Sequence, residues 1–146
     1  MILHSTWDGI LKSHVNLRAI FAPEQGFRDA EQAGYSSGGY VDAETGIEVY
    51  TLYEKTSTEI NETFEEAGVD TILYDLQEVG ARFYTYIWTL SDTIVGTNRS
   101  LIVLDRPNPI GGLNIDGPVV QPGLESFVGR YAIPLVHGMS LRLSIQ

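Results

Sequence analysis

Short apolar runs alternate with longer amphipathic segments along this chain. Residues 17–22, 47–53, 69–76 and 100–104 have the length, apolar content and β-branched or aromatic residues of strands. Residues 5–14, 58–67 and 83–95 carry helical spacing or helix-end signals. Because strands that alternate with helices form βαβ units, the pattern predicts an α/β, Rossmann-like fold with a mainly parallel sheet and flanking helices.

Turn-forming residues occupy much of the remaining sequence. Residues 29–45 are rich in Gly, Ser and Asp and predict a long loop. After Arg106, Pro and Gly recur throughout residues 107–123, so this segment is expected to be extended and turn-rich. We therefore expect an α/β core over residues 1–106 and a continuation of the same domain over 107–146. We also expect that a first strand is missing and that a new element begins after Gly138, so the chain is expected to be a fragment of a longer protein.

Composition narrows the possible functions. A hydrophobic content of 43% with 19% charged residues is ordinary for a soluble globular domain, and no apolar run reaches the length of a membrane span. The net charge of −10 argues against binding to nucleic acid or to an anionic membrane. With no Cys and only three His without metal-ligand spacing, the sequence predicts neither a metal site nor a cofactor. The first residues do not resemble a signal peptide, and the compartment stays open.

Polar clusters follow three of the predicted strands. They contain Glu24, Gln25 and Arg28; then Asp75, Gln77, Glu78 and Arg82 with Tyr84 and Tyr86; and finally Asp105, Arg106 and Asn108. Because the carboxyl ends of parallel strands lie at one edge of a sheet, we expect these clusters to converge. Convergent carboxylates suit glycoside hydrolysis, in which one carboxyl group donates a proton and another activates water or attacks the sugar. The tyrosines and Trp88 are candidates for sugar stacking.

Plainer interpretations of the same residues exist. Asp75 and Asp105 would also serve as caps of the following elements, paired with Arg82 and Arg106. His137 is a candidate for a hydrogen bond to substrate or for a structural role. A serine hydrolase is disfavoured because no Gly-x-Ser-x-Gly motif occurs, and a nucleotide-binding role lacks a phosphate loop.

Four motifs in order make the chain similar to a known family. They read Phe-Ala-Pro-Glu-Gln-Gly-Phe-Arg (21–28), Asp-Leu-Gln-Glu-Val-Gly-Ala-Arg-Phe-Tyr-Thr-Tyr-Ile (75–87), Leu-Asp-Arg-Pro-Asn-Pro-Ile-Gly-Gly (104–112) and Ser-Phe-Val-Gly (126–129) with His-Gly-Met (137–139). Together they closely resemble the bacterial exo-β-N-acetylmuramidase family of the NamZ type, formerly described as a domain of unknown function.

The resemblance implies a Rossmann-like N-terminal domain, a smaller auxiliary C-terminal domain and a cleft between them. It also implies removal of N-acetylmuramic acid from the non-reducing end of peptidoglycan fragments, and many full-length members would be secreted or periplasmic. Glu24 matches the proposed catalytic Glu, with Asp75 or Asp105 as the second carboxylate. The expected substrate-binding residues are Gln25, Arg28, Gln77, Arg82, Tyr84, Arg106, Asn108 and His137. Gln25 stands where the family usually has His, and Glu78 where it has Asp. A catalytically inactive remnant that binds cell-wall sugars is the alternative.

Overall fold

The computed structural model describes residues 6–28 and 39–141. Within these ranges the chain forms three helices and five strands. In chain order they are α1 (Thr6–Lys12), β1 (Ile20–Ala22), β2 (Tyr40–Val41), β3 (Glu48–Thr51), α2 (Ser57–Glu66), β4 (Thr71–Tyr74), α3 (Tyr86–Gly96) and β5 (Ser100–Val103). The long loop expected over residues 29–45 lies partly outside the described residues and contains β2.

The strands form two small sheets. The first has the order β1-β3-β2, with β1 parallel and β2 antiparallel to β3. The second is the parallel pair of β4 and β5. The structure is therefore mixed α/β, and the single, mainly parallel sheet expected from the alternation is found as two sheets. A short turn between β2 and β3 explains the antiparallel pairing, since parallel neighbours need a longer crossover.

Side chains rather than backbone hydrogen bonds connect the two sheets. Phe21 from β1, Ile72 from β4 and Leu101 from β5 meet the buried residues Ile60 and Phe64 of α2 in one apolar cluster. The rings of Phe21 and Phe64 meet edge to face with centroids 4.7 Å apart. This cluster holds the ends of the strands of both sheets close together.

Helices α2 and α3 pack against each other beside the sheets. A capping box starts α2: the Glu59 N–H donates to Thr56 Oγ1 (3.3 Å), and the Thr56 N–H donates to the Glu59 carboxylate (2.8 Å). At the same end of α2, the last residue of α3, Gly96, lies so close to Ser57 that a Cβ on Gly96 would be 2.1 Å from the Ser57 carbonyl oxygen. Trp88 of α3 is completely buried in a second apolar cluster.

The segment after β5 contains turns and isolated bridges over residues 107–140. Val136 forms antiparallel bridges with both Ala81 and Asp116, and Ser126 bridges Gly129. These contacts fold the segment back onto the loop that follows β4. Among the residues that the structure describes, no helix is long and apolar enough to cross a membrane.

Candidate active site

A tight turn after β1 presents the first candidate residues. Pro23 ends the strand because it has no N–H group, and the Gly26 N–H donates to the Pro23 carbonyl at 3.3 Å. Gln25 and Gly26 both adopt left-handed backbone conformations, with φ of 73° and 77°. For Gln25, which carries a Cβ, this conformation costs roughly 1 kcal/mol.

Thr85 holds the Glu24 side chain. Its hydroxyl donates a 2.6 Å hydrogen bond to Glu24 Oε2. Thr85 is the N-cap residue of α3 but makes no side-chain capping bond, so its hydroxyl is available to bind the Glu24 carboxylate. Sequence reasoning missed this residue, although a Thr directly before a helix is a recognisable N-cap signal.

A buried tyrosine positions the beginning of α3. The Tyr74 hydroxyl, at the end of β4, donates to the Tyr86 carbonyl oxygen at 2.7 Å. Burial raises the pKa of Tyr74 well above its ordinary value, so the hydroxyl keeps its proton at neutral pH. The strand thereby fixes the position of Thr85, which precedes Tyr86 in the chain.

Beside this turn lies a pocket of about 480 Å³, a volume suited to a small ligand. Its walls come from the turn after β1, from the loop after β4 and from the residue that follows Asp105. The lining residues are Phe21, Pro23, Gln25, Gly26, Phe27, Asp75, Leu76, Gln77, Val79, Tyr84, Tyr86 and Arg106. The three strand-end clusters therefore do meet, and five of the predicted site residues line the pocket: Gln25, Asp75, Gln77, Tyr84 and Arg106.

An ion pair between Arg106 and Asp75 forms one wall of the pocket. The Arg106 side chain is 41% exposed, and its guanidinium carries further N–H donors besides the one directed at Asp75. A planar guanidinium of this kind pairs well with a carboxylate on a ligand. The pocket thus combines an anion-binding group with a protein carboxylate and two tyrosines.

Arg28 is engaged elsewhere. Its guanidinium donates two hydrogen bonds of 2.8 Å to the Asp42 carboxylate and lies 2.8 Å from Glu44. Asp42 also accepts hydrogen bonds from the backbone N–H and the hydroxyl of Thr45. The Arg28 guanidinium, with the help of Thr45, holds the pKa of the Asp42 carboxyl well below its ordinary value. Arg28 therefore ties the turn after β1 to the loop between β2 and β3.

Three other predicted residues hold the turn-rich segment. Arg82 donates to the carbonyls of Pro118 (2.7 Å) and Ile133 (2.8 Å). Asn108 Nδ2 donates to the carbonyls of His137 and Met139, at 2.7 and 3.1 Å. Asp105 accepts a 2.7 Å hydrogen bond from the Ser140 hydroxyl. None of Arg82, Asp105 and Asn108 is among the residues that line the pocket.

His137 lies behind the pocket, against Glu78. Both side chains are almost fully buried, and His137 Nε2 is 3.4 Å from Glu78 Oε1. The other Glu78 oxygen accepts a hydrogen bond from the backbone N–H of Gly80, and the backbone N–H of His137 donates to the Gly80 carbonyl at 3.0 Å. His137 is not among the residues that line the pocket. Trp88 is likewise fully buried, which rules out the sugar-stacking role considered for it.

The fold and the site define a mixed α/β domain with a ligand-sized polar pocket beyond the carboxyl ends of its strands. Among residues 6–28 and 39–141, no group of three His, Asp or Glu side chains is arranged to hold a metal ion. The chain belongs to the family described as "Exo-beta-N-acetylmuramidase NamZ, N-terminal", whose model matches residues 2–142. The family resemblance inferred from the four motifs is confirmed.

Individual relatives agree with this assignment. The chain is 45% identical over 130 residues to the peptidoglycan beta-N-acetylmuramidase NamZ of Bacillus subtilis (strain 168), covering 87% of this chain and 31% of that protein. Two crystal structures of DUF1343 family proteins from Bacteroides fragilis NCTC 9343 are similar to the fold. One has a TM-score of 0.77 and 39% identity, covering 95% of this chain and 35% of its own. The other has a TM-score of 0.71 and 33% identity, covering 97% and 36%. The chain therefore spans about a third of the length of these relatives.

Proposed function

We propose that this chain contributes the catalytic wall of a glycoside hydrolase that removes N-acetylmuramic acid from the non-reducing end of peptidoglycan fragments. The observation that carries the proposal is the Glu24 carboxylate, which Thr85 holds beside the pocket that contains Asp75 and Arg106. Glu24 is not itself a lining residue, but both of its chain neighbours, Pro23 and Gln25, line the pocket. The 45% identity to a curated peptidoglycan beta-N-acetylmuramidase supports the substrate class. The substrate is then a peptidoglycan-derived saccharide, and its hydrolysis needs carboxyl groups and water but no cofactor.

Glu24 is assigned the role of general acid, donating a proton to the glycosidic oxygen. Between the two candidates for the second carboxylate, the geometry favours Asp75, because Asp75 lines the pocket whereas Asp105 binds Ser140 outside it. Asp75 would activate water or attack the sugar carbon. Its pairing with Arg106 orients it at the pocket wall.

Arg106 would make the pocket selective for muramic acid. That sugar differs from other hexosamines of the cell wall by its lactyl carboxylate, and Arg106 is the guanidinium that lines the pocket. Tyr84, Gln77 and Gln25 supply hydroxyl and amide groups for the sugar's own polar groups. The other predicted binding residues support the pocket indirectly, by holding the loops around it. They are Arg28, Arg82, Asn108 and His137.

The proposal also concerns the fold of the domain. The two sheets are proposed to be parts of a Rossmann-like core over residues 1–106, to which residues 107–146 belong as a continuation. The parallel pairs β1–β3 and β4–β5, with α2 and α3 between strands in the chain, support this arrangement.

A catalytically inactive sugar-binding role is the second candidate. Gln25 lines the pocket at the position where the family usually has His, and an amide does not transfer protons near neutral pH. Binding of muropeptide by the chain without turnover would favour this candidate.

The deciding experiment is the release of N-acetylglucosamine by the chain from the β-linked disaccharide of N-acetylmuramic acid and N-acetylglucosamine, because a sugar leaving group needs a proton from the general acid. Glu24→Gln is expected to lower kcat by about a hundredfold or more, because general acid catalysis contributes on that scale. Glu62→Gln, an exposed carboxylate on α2, is the matched control and keeps full activity. Full activity of Glu24→Gln would overturn the assignment of Glu24.

A further inference from the structure

The parallel register of the first sheet places Tyr53 next to Glu24. Ala22 of β1 pairs with Thr51 of β3, and the Leu52 N–H donates to the Ala22 carbonyl at 2.7 Å. Glu24 and Tyr53 each follow these paired residues by two positions, so both leave the sheet at the same edge. The Glu24 carboxylate is close enough to Tyr53 to act on its hydroxyl, and Tyr53 is not among the residues that line the pocket.

A turn in the segment after β5 brings a second ring to this place. Ser126 and Gly129 exchange backbone hydrogen bonds of 3.1 and 3.0 Å, which projects Phe127 toward Tyr53. The Tyr53 and Phe127 rings meet edge to face, with centroids 5.5 Å apart and an interplanar angle of 81°. A Cβ on Gly129 would lie 2.8 Å from Val120 Cγ2, so a larger residue there would force the Val120 side chain to shift. This geometry explains the Ser-Phe-Val-Gly motif, which the pocket itself does not use.

The turn is anchored to α3, the same helix that Thr85 precedes. The Arg130 guanidinium lies 5.5 Å from the centroid of the Phe127 ring and binds Asp92 of α3 at 2.6 Å. Burial raises the pKa of Asp92 above its ordinary value, and Arg130 opposes that rise. Phe127 is therefore held against Tyr53 by contacts to the helix that also fixes Glu24.

Tyr53 and Phe127 form what we call the aromatic platform. Both side chains are half-buried, which leaves part of each ring open to solvent. Burial raises the pKa of the Tyr53 hydroxyl, and the nearby Glu24 carboxylate adds to the rise. The platform is thus uncharged at neutral pH. It borders the proposed proton donor, and neither of its rings lines the pocket.

We propose that the aromatic platform binds the sugar on the leaving-group side of the scissile bond. This inference rests on the proposed function, because a general acid protonates the oxygen that joins two sugars and must have a sugar on either side. The pocket with Arg106 takes the acidic sugar, and the platform takes the next, neutral N-acetylhexosamine. The apolar C–H face of a pyranose ring suits the electron-rich face of an aromatic ring.

The test compares two ligands in the Glu24→Gln background, so that neither is consumed. Calorimetry measures the affinity for N-acetylmuramic acid and for the β-linked disaccharide of N-acetylmuramic acid and N-acetylglucosamine. Tyr53→Leu should weaken disaccharide binding about fivefold and leave monosaccharide binding unchanged, since only the disaccharide reaches the platform. Tyr53→Phe should retain both affinities.

Tyr40→Leu, an exposed tyrosine on β2, is the matched control, and thermal unfolding confirms that each variant is folded. Equal weakening for both ligands, or no weakening in Tyr53→Leu, would overturn the platform while leaving the proposed function intact. If the Glu24→Gln chain binds neither ligand, the pocket assignment fails and this inference fails with it.

Discussion

The Thr85 hydroxyl donates a 2.6 Å hydrogen bond to Glu24 Oε2, although Thr85 occupies the N-cap position of α3. An N-cap side chain ordinarily accepts a hydrogen bond from the first turn of its helix, and losing that bond costs about 1 kcal/mol. Here the hydroxyl instead connects α3 with the turn after β1. Helix α3 therefore lacks a side-chain cap at its N-terminus, and the Glu24 carboxylate is held in one orientation.

Thr85→Val tests this link, because valine keeps the shape of threonine without its hydroxyl. We expect kcat on the disaccharide of N-acetylmuramic acid and N-acetylglucosamine to fall about tenfold through misorientation of Glu24, with a stability change of about 1 kcal/mol or less. Thr85→Ser should restore most of the activity. The control is Thr93→Val, whose hydroxyl bonds only to the Thr89 carbonyl on the same helix. Equal losses in the two Val variants would refute a specific role for Thr85.

Gln25→Gly should separate strain from binding. Because Gln25 has a φ of 73°, glycine is expected to raise the free energy of unfolding by about 1 kcal/mol, measured by denaturant titration. The same change removes an amide from the pocket and should weaken binding of N-acetylmuramic acid. Gln25→Ala is the control, since it loses the amide but keeps the strain. A Gly variant less stable than the Ala variant would contradict the strain argument.

Removing Glu78 should destabilise the loop behind the pocket. Glu78→Ala leaves His137 and the Gly80 N–H buried without their carboxylate neighbour, and a loss of about 3 kcal/mol is expected in chemical denaturation. Glu66→Ala, at an exposed position on α2, should change stability by less than about 0.5 kcal/mol.

A double-mutant cycle then tests whether Glu78 and His137 act as a pair. Replacing both by Leu should cost less than the sum of the single Leu substitutions, because no polar group is left buried alone. Strict additivity would show that the two residues do not interact.

The stability of the protein should fall in acid because of Asp42. Its folded-state pKa is lowered, so its contribution is present above the unfolded pKa of about 3.9 and is lost as pH falls through the folded value. The free energy of unfolding, measured at pH 7 and pH 3, should therefore drop less in Asp42→Asn than in the unmodified chain. Glu62→Gln, which changes an exposed carboxylate, should leave the drop unchanged. The same drop in Asp42→Asn would refute the role of the Arg28 pair.

Local sequence signals predicted most of the regular elements. The helix expected over residues 58–67 is found as Ser57–Glu66. Both of its ends carry sequence signals: the capping box at Thr56 and the αL residue Gly68, which has a φ of 64°. The helix expected from residue 83 begins at Tyr86, since residues 83–85 belong to the turn that places Thr85. The short strand β2 was not predicted, because two exposed residues carry no clear periodicity.

The candidate site was predicted less completely than the elements. Strand-end clusters indicated a shared edge, and Gln25, Asp75, Gln77, Tyr84 and Arg106 do line one pocket. Arg28, Arg82 and Asn108 instead bind partners 14 to 51 positions away in the chain. Such long-range pairings depend on how loops fold over the sheets, and residue spacing does not encode them directly.

The sequence by itself determined the family, the order of the strands and helices apart from β2, and the carboxylate at the end of the first strand, because motifs and hydrophobic periodicity are local properties. Only the tertiary structure decided that Thr85 holds Glu24 and that Arg106 meets Asp75. It also decided that His137 is buried against Glu78 and that Tyr53 meets Phe127. The physical reason is that each of these pairs joins distant parts of the chain. Many residues have the same chemistry, and the packing of the fold determines which of them come into contact.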